Sequence, residues 1–188
     1  MHQNWNRLKY NFIRLLAVVI IAGMIFLILS CNNSTSSREK TGDSKATKEK
    51  LLKINKKMVK TEDQKIADFM DRYHWQMNKT ASGLRYNIYH DGRGKQAEKG
   101  MKAKFSFTLN LLTGDTIYSS AEQGPKEIVL GKGGVESGLE EGILLLNEGD
   151  RAKFIIPSHL AYGLVGDMKK IPTKATLVYD IELLELKQ

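Results

Sequence analysis

Between Pro125 and Leu184 short apolar runs are separated by turns marked with glycine, and this alternation limits the fold more than any other feature. Arg151–Ile156 is a strand-length run ending at Pro157, and Ala175–Leu186 is a longer one. Upstream, Leu84–His90 and Ala103–Leu112 alternate apolar and polar residues, the period of a half-buried strand. Thr113-Gly114-Asp115 reads as a hairpin turn with Thr116–Ser120 returning, and Glu127–Leu130 as a short strand. Between these strands, Ser137 stands three residues before Glu140, the pattern of a capping box, and Leu139, Ile143, Leu144 and Leu146 continue at helical spacing. Several antiparallel strands with one central helix predict an α+β fold: a curved sheet wrapped around a short helix. The expected core is Phe105, Leu139, Ile143, Leu146, Phe154, Ile156, Val178 and Ile181.

Charge divides the chain. It carries 29 Lys/Arg and 21 Asp/Glu, yet residues 1–60 hold 12 and 3 of these and residues 61–188 hold 17 and 18. The basic excess therefore lies in the N-terminal arm, not on a folded face that would dock phosphates, which argues against a nucleic-acid partner.

That arm begins with Arg7, Lys9 and Arg14, followed by the unbroken apolar run Leu15–Leu29. As a helix its 15 residues would span roughly 22 Å, short of the ~30 Å hydrocarbon core. Ser30 and the lone cysteine, Cys31, come next, then N-N-S-T-S-S. A basic start, a short apolar core and a small residue before cysteine resemble a bacterial lipoprotein signal, so residues 1–30 are expected to be a signal peptide and Cys31 the lipidated residue. The competing reading is an uncleaved anchor helix with Cys31 incidental. Both place the rest of the chain outside the cytoplasm, tethered to membrane lipid.

Residues 31–49 lack large apolar side chains and predict a flexible tether. Residues 50–79 predict an amphipathic helical extension. Leu51, Leu52, Ile54, Met58 and Val59 precede Thr61, an expected N-cap, and Ile66, Phe69, Met70, Tyr73 and Met77 follow, with an end near Asn78. Such a helix packs on its own domain or mediates dimerisation; the former is preferred.

Residues 81–187 resemble the FKBP-type peptidyl-prolyl cis-trans isomerases. The resemblance rests on V-L-G-K-G-G-V-E-S-G-L-E-E-G (129–142), E-G-D-R-A-K-F-I-I-P (148–157), L-A-Y-G (160–163) and I-P-T-K-A-T-L-V-Y-D-I-E-L-L (171–184). It implies an isomerase domain over residues 80–188 that rotates X-Pro bonds and needs no cofactor and no metal. In this likeness Tyr162 donates its hydroxyl to a substrate carbonyl, and the backbone N–H of Glu136 is the second donor. Phe107, Ile117, Val135, Leu139, Ile171 and Tyr179 wall the pocket. Tyr118 belongs to the catalytic set by position but stands where the family usually has an aspartate. Leu139 replaces a common tryptophan, Ile117 a phenylalanine and Asp167 a frequent loop histidine, while Lys126 and Glu136 replace apolar side chains at the rim. With the lipoprotein-type signal, the chain is similar to gliding-motility-associated FKBP-type lipoproteins, whose implied partners are proline-containing exported polypeptides. The alternative is a non-catalytic binding or chaperone module for envelope assembly.

Overall fold

The computed structural model describes residues 41–188; the apolar run, Ser30 and Cys31 lie outside the described residues. Residues 50–188 form one compact unit. Helix α1 (Thr41–Arg72) leads into strands β1 (Asn78–Lys79), β2 (Arg85–His90), β3 (Lys102–Leu111) and β4 (Thr116–Ser119). The short helix α2 (Ser120–Gln123), β5 (Lys126–Val129), α3 (Ser137–Ile143), β6 (Arg151–Ile156), a 3-10 turn (Ser158–Leu160) and β7 (Leu177–Lys187) complete the order. The strands form one antiparallel sheet in the order β1-β2-β6-β7-β3-β4, with β5 also on β3. The predicted α+β architecture is the observed one.

Alternation along the strands sends side chains to two faces. One face carries the main core, where Phe105, Phe107, Phe154, Ile156, Tyr179 and Ile181 meet Leu139 and Ile143 of α3. Two glycines bring α3 close. A Cβ on Gly142 would lie 2.7 Å from the Phe154 ring, and one on Gly138 would collide with Ile156. The capping box does not form. Ser137 donates to the Leu160 carbonyl, and the Glu140 carboxylate takes the Gly131 N–H instead of turning back along the helix. A loop donor for Glu140 and a loop acceptor for Ser137 replace the local cap.

Val178 lies on the other face, not in the main core: with Ile155 it forms a second cluster with Ile66 and Phe69 of α1. The helical extension thus packs on its own domain. It is also longer at its start than expected. Residues 41–49, read as flexible tether, are helical. Ala, Lys and Glu in this stretch tolerate a helix, and extending one avoids the cost of nucleation. Thr61 is no N-cap; the helix runs through it and its hydroxyl donates to the Lys57 carbonyl. Nor does the helix reach Asn78. Trp75 N–H donates to Met70 O and His74 N–H to Asp71 O, a Schellman closure. His74 sits at φ 55°, and the Trp75 ring meets Phe69 edge-on at 5.4 Å.

Among the described residues no helix is long and apolar enough to cross a membrane.

Candidate functional site

All the pocket residues expected from sequence lie together. Phe107, Ile117, Leu139, Ile171 and Tyr179 are buried in the main core, and Tyr118, Val135 and Tyr162 pack on it half-buried. β3 supplies Phe107, β4 supplies Ile117 and Tyr118, α3 supplies Leu139, and β7 supplies Tyr179. Phe107 and Tyr179 stand on paired strands with ring centroids 6.0 Å apart. Lys126 Nζ caps the Phe107 ring at 4.9 Å from its centroid.

Glu136 departs from its expected place. Its carboxylate is not on the rim but buried, 7% exposed, and accepts the Tyr179 hydroxyl at 2.9 Å. A carboxylate leaves water only where a donor receives it, and the phenol of Tyr179 is that donor. Burial, then this carboxylate, push the Tyr179 hydroxyl well above the ordinary phenol range. Tyr162 is pushed up in the same way, first by burial, then by Glu136 and more weakly by Asp167 and Tyr118. Both phenols therefore keep their protons into more alkaline solution than an ordinary tyrosine does. The Glu136 N–H has no acceptor among the described residues, as expected for an amide leading into the first turn of a helix.

Tyr118 has a partner that its position in the sequence did not announce. Its hydroxyl donates to Asp167 Oδ2 at 2.6 Å, across 49 residues of chain. Asp167 Oδ1 accepts the N–H groups of Ile171 at 2.7 Å and Lys169 at 2.9 Å. Burial raises the Asp167 carboxyl, but the Tyr118 hydroxyl and these backbone donors hold it below its ordinary value.

The segment before Tyr162 is braced from α1. Glu62 accepts Ser158 N–H at 2.6 Å, Ser158 Oγ at 2.9 Å and Thr176 Oγ1 at 2.6 Å. Ser158 O in turn accepts Gly163 N–H at 2.8 Å, closing the turn that presents Tyr162. Nothing in the spacing of Glu62 marked it out; only its acidity in a surface helix was visible.

This geometry is an aromatic and aliphatic cluster with the half-buried Tyr162 packed against it and the Glu136 N–H, unpaired among the described residues, in the turn that opens α3. It offers no activated nucleophile, and among the described residues no three His, Cys, Asp or Glu converge as metal ligands. A depression of about 270 Å³ is lined by Tyr89, Arg151, Asp180 and Glu182 together with Phe107 and Ile181. Its charges are already paired, Arg151 with Glu182 and Lys153 with Asp180.

The family model for FKBP-type peptidyl-prolyl cis-trans isomerase matches residues 93–184. An FK506-binding protein of Neisseria meningitidis serogroup B is 37% identical over 105 residues, 55% of this chain and 96% of that protein. The chain belongs to the FKBP-type peptidyl-prolyl cis-trans isomerase family. A second relative from that organism, named probable FKBP-type peptidyl-prolyl cis-trans isomerase FkpA, is 42% identical over 108 residues. That match covers 57% of this chain but only 39% of the relative. The crystal structure of FkpA from Escherichia coli superposes with a TM-score of 0.58 at 26% identity, covering 91% of this chain and 82% of that one.

Proposed function

We propose that this chain catalyses cis-trans isomerisation of X-Pro bonds in exported proteins, with Tyr162 and the Glu136 N–H as the two donors. The observation that carries the reading is Tyr162, half-buried and packed against the cluster that holds Phe107, Ile171 and Tyr179. Rotation about the amide faces a barrier of ~18–20 kcal/mol because the C–N bond has double-bond character. The planar amide is the more charge-separated form, so an apolar pocket favours the twisted one. Donors hold the substrate carbonyls in place while the prolyl ring turns. No proton is transferred, so the reaction tolerates a tyrosine at Tyr118.

The test is isomerisation of a proline tetrapeptide panel by the protein lacking residues 1–31. Acceleration above background that disappears in a Tyr162→Phe/Tyr179→Ala variant supports the enzyme. Absence of acceleration by a folded domain supports the second reading, a binding or chaperone module for envelope assembly. The observation favouring that second reading is the polar rim, with Lys126 over Phe107 and Lys170 5.4 Å from the Tyr118 ring centroid.

The setting belongs to the same proposal. The basic start, the apolar run and Cys31 support a lipid-anchored envelope protein on the periplasmic side of a bacterial membrane. Palmitate labelling lost in Cys31→Ser checks the anchor. Service to gliding motility is the narrower form, tested by colony spreading of a deletion strain. Dimerisation through α1 is a further part. Leu51, Ile54 and Met58 continue the face that Ile66 and Phe69 bury on the domain, and Leu51 and Ile54 are exposed. Sedimentation of a Leu51→Asp/Ile54→Asp variant tests it: a dimer that persists rules out this face.

A further inference from the structure

The loop from Gly163 to Lys174 is not anchored by burial at its tip. Leu164, Val165 and Met168 are 65%, 63% and 86% exposed. Polar contacts shape it instead. Lys174 N–H donates to Gly163 O at 2.8 Å across its base, and Asp167 N–H donates to Ile171 O at 3.2 Å within it. Gly166 adopts φ 75°, and a Cβ there would collide with the Ile171 carbonyl. Met168 also takes a left-handed φ of 57°. The Asp167 carboxylate draws this backbone together by accepting the N–H groups of Lys169 and Ile171 through one oxygen.

Two contacts then tie the loop to β4. Tyr118 donates to the other Asp167 oxygen at 2.6 Å. Lys170 Nζ donates to the Ile117 carbonyl at 3.3 Å. Just before the loop stands Tyr162, and inside it Ile171, which is 3% exposed in the main core. The same carboxylate that holds Ile171's backbone is therefore held by Tyr118. A hydrogen bond to a charged acceptor is among the stronger ones, and this one joins segments far apart in the chain.

We propose that Tyr118 is a positioning residue: through Asp167 it latches the 163–174 loop to β4 and so sets where Ile171 and Tyr162 stand around the pocket mouth. Its activity readout rests on the isomerase reading above; its structural readout does not.

The experiment compares Tyr118→Phe, Asp167→Asn and the double variant in the protein lacking residues 1–31. Steady-state isomerisation of a proline tetrapeptide is measured alongside amide hydrogen exchange at Ile171. Each single variant is expected to lower kcat/KM about tenfold, mainly by raising KM, and to speed exchange of the Ile171 amide by a similar factor. The double variant should lose no more than Asp167→Asn alone, because the Tyr118 hydroxyl acts only through that carboxylate. Unchanged exchange at Ile171 in Tyr118→Phe, or additive losses in the double variant, overturns the latch. A loss confined to kcat overturns the positioning role by giving the hydroxyl a direct part in the chemistry. If the wild-type domain accelerates no peptide, the isomerase reading fails, while exchange at Ile171 still decides the latch.

Discussion

Gly138 and Gly142 lie one helical turn apart on α3 and mark where that helix meets β6. Because Gly142 faces Phe154 at van der Waals distance, a methyl group there has nowhere to go without moving the ring. Gly142→Ala, normally helix-favouring, is expected to destabilise by about 1–3 kcal/mol, read from the urea midpoint. Glu136 supports a second expectation. Burial and the Glu136 carboxylate both raise Tyr162, so the donor form persists above the ordinary tyrosine value of 10.0. A raised value means the hydroxyl loses its proton only as pH climbs through that higher range. Isomerisation should therefore stay flat across the range where an ordinary phenol ionises. Glu136→Gln should bring the alkaline decline to lower pH, as a pH-rate profile would show.

Helix α1 is secured by one acid that reaches the site and one that does not. Glu62 receives three donors from the segment before Tyr162 and from Thr176, none of which has another carboxylate in reach among the bonds of that turn. Glu62→Ala should cost about 2–3 kcal/mol and loosen the Ser158 turn, seen as faster amide exchange at Gly163. Thr61→Ala, one residue away, loses only a bond back along the helix and should change little. Asp63 pairs with Arg85, whose side chain is 6% exposed, and with Lys79 at 3.0 Å. The Arg85 guanidinium, first among these partners, holds the Asp63 carboxyl below its ordinary value. A depressed carboxyl contributes stability that is present above its unfolded value and lost as pH falls through the folded one. Denaturant titrations stepped into the acid range should show that loss, and Asp63→Asn should flatten the acid slope.

At the scale of the whole molecule, one sheet serves two cores. Its inner face buries α3 and carries the candidate site residues; its outer face buries Ile66 and Phe69 on Ile155 and Val178. Ile155 and Val178 are neighbours in the β6–β7 register, as are Phe154 and Tyr179 on the opposite face. Removing α1 should therefore disturb the strands that carry Tyr179. Losing two fully packed side chains of this size costs about 1.5–3 kcal/mol each. A chain beginning at Tyr73 should unfold at a visibly lower urea concentration than one beginning at Lys50, and the latter should unfold in one cooperative transition.

Much of this was legible in the chain. The strands and α3 follow from periodicity and glycine placement, because a buried side chain must recur at the period of its element, whereas the apolar pocket residues were implied by the family resemblance. Those signals are local. The chain alone also settled that its basic excess lies before residue 61, since charge counts need no coordinates. Tertiary structure decided which face Val178 serves, since a strand buried on both sides shows no alternation to read. It decided that Glu140 caps a loop and not its own helix, that Glu136 turns inward to Tyr179, and that Glu62 braces the Tyr162 turn. It also paired Tyr118 with Asp167. Apart from the packing of Val178, each of these is a polar contact between residues on different elements or loops. Such contacts leave no periodicity behind, because a single hydrogen bond needs two groups to meet in space and asks nothing of the residues between them.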